Sequence, residues 1–120
     1  MQFMSMLKAR EDVGAPPPEF LEAMGAYIAG VAARGKLVTT GGLLPSSAGA
    51  EVRASGGKVV VSHGPFTEAI ELVGGYAVFD VESREEAVAL VTEFVRLHVD
   101  HWPGWAGAAE LRQVVAPPGR

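Results

Sequence analysis

The spacing of apolar residues changes along the chain, and each change marks an element. In residues 2–9 (QFMSMLKA), Phe3, Ser5 and Leu7 alternate with Met4, Met6 and Lys8. Both sets carry apolar side chains, which predicts a strand with at least one well-buried face. Residues 10–18 turn polar, then glycine- and proline-rich, and close on three prolines. Pro18 is tolerated at a first helical position, where its missing N–H leaves no bond unmade. Over residues 19–34, Phe20, Met24, Tyr27, Ile28 and Val31 form one stripe, at the period of about 3.6 residues that marks a helix. Glu19 and Glu22 stand near the positive end of its dipole and Arg34 near the negative end, with Gly35 as the stop. Gly25 and Gly30 each weaken this helix by about 1 kcal/mol against alanine, a loss that a close approach of helix to sheet would offset.

Residues 36–44 (KLVTTGGLL) predict a second strand, with a bulge or close backbone contact at Gly41-Gly42, and residues 45–49 a surface loop. Residues 50–55 and 58–62 flank Gly56-Gly57, a strong signal for a two-residue hairpin. Residues 75–81 (GYAVFDV) read as a strand with Ala77, Phe79 and Val81 on one face and Tyr76, Val78 and Asp80 on the other. Ser83-Arg84-Glu85-Glu86 matches a capping box, and Ala87, Val91, Phe94, Val95 and His98 continue as one helical stripe that should fray near Val99. Pro103, Gly104 and Gly107 make residues 100–107 (DHWPGWAG) a loop. Residues 109–115 (AELRQVV) then form a last strand and 116–120 a tail.

The order is a ferredoxin-like βαββαβ pattern with an inserted β-hairpin, an α+β fold with both helices on one face of an antiparallel sheet. The other face needs a cover, and Thr39, Ala77, Phe79 and Leu111 are the residues expected to line it. No spare element is available to cover it. A second copy is the economical solution, so the expected assembly is a two-fold homodimer with sheets facing, a dimeric α+β barrel.

Composition narrows the function classes. The 120 residues are read as one domain, with 48% hydrophobic and 20% charged residues, a globular balance. A net charge of −4 and ten scattered lysines and arginines argue against a nucleic-acid surface. With no cysteine there is no disulfide, thiolate metal site or thiol catalysis. No apolar run approaches the roughly 20 residues of a membrane span, and residues 1–13 lack a secretion signal. The expectation is a cytoplasmic protein that binds neither membrane nor nucleic acid.

Candidate chemistry gathers between two strands, in His63-Gly64-Pro65-Phe66-Thr67-Glu68, closed by Glu71 and Gly74-Gly75-Tyr76. A loop of this content, held by strands on both sides, is where sites usually sit. An imidazole titrates near neutral pH, so His63 suits proton transfer, with Glu68 or Glu71 to orient it. The plainer reading is a turn histidine, with Gly64-Pro65 fixing the chain and Phe66 anchoring the loop. His98 and His101 stand three apart and would share a helix face. They are weak metal candidates, because no third ligand can be named. At a helix C-terminus they more simply favour the dipole. Trp102 and Trp105 are a lid over the core, a dimer contact or part of a cleft. Gly41-Gly42 and Gly74-Gly75 match no phosphate loop, and no cofactor is expected.

Taken together, Gly56-Gly57-Lys58, Val61-Ser62-His63-Gly64-Pro65-Phe66-Thr67-Glu68 and Glu71-Leu72-Val73-Gly74-Gly75-Tyr76 resemble the DGPF-motif region of the YCII-related family. The likeness extends to Thr40-Gly41-Gly42-Leu43-Leu44-Pro45, to Ser83 through Ala87 and to Glu110-Leu111-Arg112, and so covers nearly the whole chain. The resemblance implies ferredoxin-like protomers paired as a dimeric α+β barrel. For some relatives it implies an enzyme with a His–Asp pair in its cleft, and for others regulation beside sigma factors. This chain departs from the pattern: His63 replaces the motif's aspartate, Ile70 a usual lysine, and the first helix lacks a histidine. Three readings follow. The first is a small-molecule binder with His63, Gly64, Pro65, Phe66, Tyr76, Trp102 and Trp105 about its cleft. The second is an enzyme using His63 with Glu68 and Glu71 on a small organic substrate. The third is a regulatory protein-interaction module.

Overall fold

The computed structural model describes residues 1–66 and 71–118. In chain order the elements are β1 (Gln2–Ala9), α1 (Pro18–Ala33), β2 (Leu37–Gly42), β3 (Ala50–Ser55), β4 (Lys58–His63), β5 (Leu72–Asp80), α2 (Arg84–His101) and β6 (Gly107–Val114). Short 3₁₀ turns occupy Glu11–Val13 and Ser46–Ala48. Four strands form one antiparallel sheet in the order β2-β5-β1-β6, and β3 pairs with β4 apart from it. This is the ferredoxin-like βαββαβ arrangement with an inserted hairpin, in an α+β fold.

Register decides what each face of the sheet does. Phe3 lies opposite Phe79, and Ser5 lies between Ala77 and Leu111. This set faces the helices: Phe3, Phe79 and Val81 pack with Val31, Ala87, Leu90 and Val91 as the core, with Ala77 and Leu111 half-buried against them. The opposite set, Met4 beside Val78 and Arg112, Met6 beside Tyr76 and Glu110, and Thr39 beside Val78, lines the face with no helix. Ala77, Phe79 and Leu111, expected on that open face, are therefore on the core side, and of the four residues only Thr39 is placed as expected. The physical cause is that β1 and β5 carry apolar side chains on both faces, so alternation alone does not say which one the helices take.

The ends of α1 follow the expected chemistry, with Pro18 at its first position and Arg34 just past its last turn. Its glycines do not. Gly25 and Gly30 are exposed, and a Cβ built on either meets nothing within 4 Å. No close approach to the sheet offsets their cost. Helix α2 is capped by Ser83, whose Oγ accepts from the Glu86 N–H at 3.1 Å. It runs on through Asp100 to His101, past the expected start of the loop, because the first breaker is Pro103. Leu90 joins its buried stripe.

Gly56 and Gly57 sit at φ 58° and 77°, the left-handed pair that a two-residue hairpin requires. Every residue of β3 and β4 is exposed. Val52 pairs with Val61 and Ala54 with Val59, giving one apolar face, while Glu51, Arg53 and Lys58 belong to the other. The hairpin's base is tied to the body through Ser46. The Glu11 carboxylate accepts from the Ser46 N–H (2.6 Å) and hydroxyl (3.0 Å), and Ser46 Oγ accepts from the Phe66 N–H (3.0 Å). Strand β5 begins at Leu72, three residues before the expected start at Gly75, and a register shift in β1 between Leu7 and Lys8 accommodates the longer pairing. Among the described residues no helix is long and apolar enough to cross a membrane.

Candidate functional site

All five residues of the α1 stripe, Phe20, Met24, Tyr27, Ile28 and Val31, border a cavity of about 320 Å³ between that helix and the sheet. The floor comes from Ser5 and Leu7 of β1, Leu37 and Thr40 of β2 and Ala77 and Phe79 of β5, and Phe94, His98 and Trp102 close one end. The helix thus buries Phe20 and Val31 fully but leaves Met24, Tyr27 and Ile28 half-buried. The ends of a stripe that periodicity assigns to a core are packed, while its middle borders hollow space. A second cavity of about 210 Å³ adjoins the first and shares Leu7, Gly74, His98 and Trp102 with it; Trp105 and Glu11 lie on its far side.

His98 is the centre of this region. It is 2% exposed, and its ring lies 4.4 Å from Phe20, 4.9 Å from Phe94 and 4.3 Å from Trp105, centroid to centroid. Its Nδ1 lies 2.9 Å from the Phe94 carbonyl oxygen. A carbonyl only accepts, so Nδ1 carries the proton and Nε2 is left as a bare lone pair. Burial among rings pushes the imidazole's pKa below its ordinary value, against a smaller upward pull from the Phe94 carbonyl. The ring is neutral at pH 7.

Two of the cavity's other polar side chains, Tyr27 and Thr40, are committed. The Tyr27 hydroxyl donates to the Leu90 carbonyl, and its pKa is pushed up to about 12, first by burial and then by the Glu93 charge. Thr40 Oγ1 donates to the Tyr76 carbonyl at 3.0 Å. Ser5 is 4% exposed, and among the described residues its hydroxyl has no hydrogen-bond partner. Tyr76 borders the cavity. Its ring lies across Gly41 on the open face of the sheet, where a Cβ at Gly41 would sit 2.8 Å from the Tyr76 hydroxyl. The contact expected at the Gly41-Gly42 pair is thus with this side chain as well as with backbone, since a Cβ built on Gly75 would sit 3.3 Å from the Gly41 carbonyl oxygen.

The other sequence candidates lie elsewhere. His63 is exposed at the end of β4, opposite Ala50, and borders neither cavity. Glu71 is exposed just before β5, and Glu68 lies outside the described residues. A Cβ built on Gly64 would overlap the Ser46 carbonyl oxygen, so glycine there is a steric requirement of the hairpin base. Pro65 is exposed, and Phe66 takes part through its N–H. His98 and His101 turn to different partners: His101 Nδ1 meets Glu19 Oε1 at 2.7 Å, joining the end of α2 to the start of α1. Among the described residues no three of His, Asp and Glu gather as a metal set would. Trp102 and Trp105 do come together about His98; Trp102 borders both cavities and Trp105 the smaller one.

Three residues of this region went unread in the sequence. Ser5 had a signal, as the one polar member of an otherwise apolar strand face. Glu11 and Ser46, 35 positions apart, had none. Residues 1–96 match the family model described as YCII-related domain, a span that ends two residues before His98. No curated protein matches the chain.

Proposed function

The chain belongs to the YCII-related family, and on that premise we propose that it is a single-domain small-molecule-binding protein working as a homodimer, with its ligand in the cavity beneath α1. The observation that carries this reading is the cavity itself. At about 320 Å³ it falls within the roughly 300–1,000 Å³ of ordinary ligand pockets, and its apolar walls carry a few polar points. A helix stripe left unpacked forgoes burial that a plain structural domain would keep. His63 has no part in this binding; the site moves from the hairpin loop to the His98 end of the cavity.

The open face of the sheet supports the second copy. Met4, Met6 and Val78 lie at its centre, and Lys8, Glu110 and Arg112 form a linked ion group along the β6 side. An apolar centre with a charged margin is how protein interfaces are built. The dimer would close the sheets into an α+β barrel.

The test is a thermal-shift screen of the protein against a panel of neutral small compounds, repeated on Ile28→Trp, which fills the cavity. A hit that raises the wild-type Tm and leaves Ile28→Trp unmoved supports the reading. Hits that shift both proteins equally, or none for either, refute it.

A further inference from the structure

Two buried side chains bordering the cavity beneath α1 carry unengaged polar groups, and no charged side chain borders it. Among the described residues, neither Nε2 of His98 nor the hydroxyl of Ser5 has a hydrogen-bond partner, although both residues are more than nine-tenths buried. Nor is either atom among the side-chain atoms sealed from solvent without a partner. What little surface they keep opens to the spaces they line: for His98 the adjoining cavity as well, and for both the cavity beneath α1. No Asp, Glu, Lys or Arg is on its walls, so an ionised ligand would lose its hydration with nothing in return. In the neutral imidazole, with Nδ1 donating to the Phe94 carbonyl, Nε2 can only accept. The rings of Phe20, Phe94 and Trp105 crowd the imidazole, and Nε2 is the ring nitrogen left without a partner among the described residues.

We propose that the cavity selects a neutral aromatic compound bearing one ring N–H or O–H donor, an indole or a phenol, whose donor pairs with Nε2 of His98. This deepens the small-molecule reading and rests on it. The space is adequate: a cavity of about 150 Å³ already takes up benzene, so about 320 Å³ admits a two-ring compound. The Ser5 hydroxyl, able to donate or accept, lies on the floor from which a second polar substituent could be recognised.

The experiment titrates the protein with indole, p-cresol, 1-methylindole, 4-methylanisole and p-toluate, following Trp fluorescence and the ¹⁵N resonance of His98 Nε2. Indole and p-cresol should bind about tenfold or more tightly than their methylated counterparts, since capping the donor leaves a buried acceptor unpaired. The Nε2 resonance should move with indole and stay put with 1-methylindole, and p-toluate should not bind. In His98→Phe the preference for the donor should vanish; the resonance measurement, made on the wild-type protein, holds even if that variant fails to fold. Equal affinity for indole and 1-methylindole, or tight binding of p-toluate, overturns donor recognition while the cavity reading stands. Failure of all five compounds and of the wider screen overturns both.

Discussion

A neutral imidazole held in a dry aromatic setting makes folding sensitive to acid. The pKa of His98 is lowered by burial, while in the unfolded chain it returns to about 6.5. Above that pH both states are neutral and the residue contributes nothing to the pH dependence. Below it the unfolded chain takes up a proton that the folded ring resists, so stability falls as pH falls until the folded ring protonates too. Urea midpoints should drop between about pH 7.5 and 5.5, and the drop should shrink in His98→Phe. Glu110, lowered by its bonds to Lys8 and Arg112, acts in a separate, more acid window, below the ordinary carboxylate range. Gly64 is the other single residue with a sharp outcome. Because a Cβ would overlap the Ser46 carbonyl, Gly64→Ala should cost on the order of 1–3 kcal/mol, seen as a lower Tm. The same change at exposed Gly57 tests turn geometry instead.

Helix α1 shows what an element can conceal. Gly25 and Gly30 contact nothing where a side chain would go, so Gly25→Ala and Gly30→Ala should each stabilise by about 1 kcal/mol. Calorimetry of the single and double variants checks this, and a loss of stability in either would mean that the glycines serve packing after all. The elements themselves were legible in the sequence: β1, the two helices and the hairpin turn fall where periodicity, a capping Ser83 and a Gly-Gly pair place them. What was not legible is which side of a strand faces the helices, because β1 and β5 are apolar on both, and how deeply a helix sits on its sheet. The Phe20–Val31 stripe looks the same in sequence whether it meets side chains or a void. The site fared likewise. His98 was visible as part of an apolar stripe, and that placement implied its burial. Its role at a cavity wall depends on Phe20, Trp105 and Ser5, which no local pattern connects to it.

At the scale of the whole molecule the protein is a slab. Its extents are 46 × 43 × 19 Å and its radius of gyration is 16.2 Å, against about 14 Å for a compact domain of this length. A thickness of 19 Å is one layer of helices on one sheet, and among the described residues no helix lies on the sheet's far side. With a second copy stacked there, assembly and stability are one equilibrium, and Tm should rise with protein concentration. Met6→Lys, which puts a charge at the centre of the open face, should yield a monomer by sedimentation and remove that concentration dependence. A wild-type protein that sediments as a monomer at every concentration would dispose of the dimer.

The hairpin has one more consequence, and it concerns the newly made chain. Val59, Val60 and Val61 follow one another on β4, 70%, 54% and 55% exposed, in a two-stranded sheet whose outer edges pair with no other described strand. A short β-branched run on an open edge is the usual template for non-native strand pairing between chains. Lys58 at its start and Arg53 across from Val60 are the charges that oppose such stacking. Neutralising them should leave the fold untouched and turn newly made protein towards aggregates, so the hairpin sets how much of this protein a cell can keep in solution.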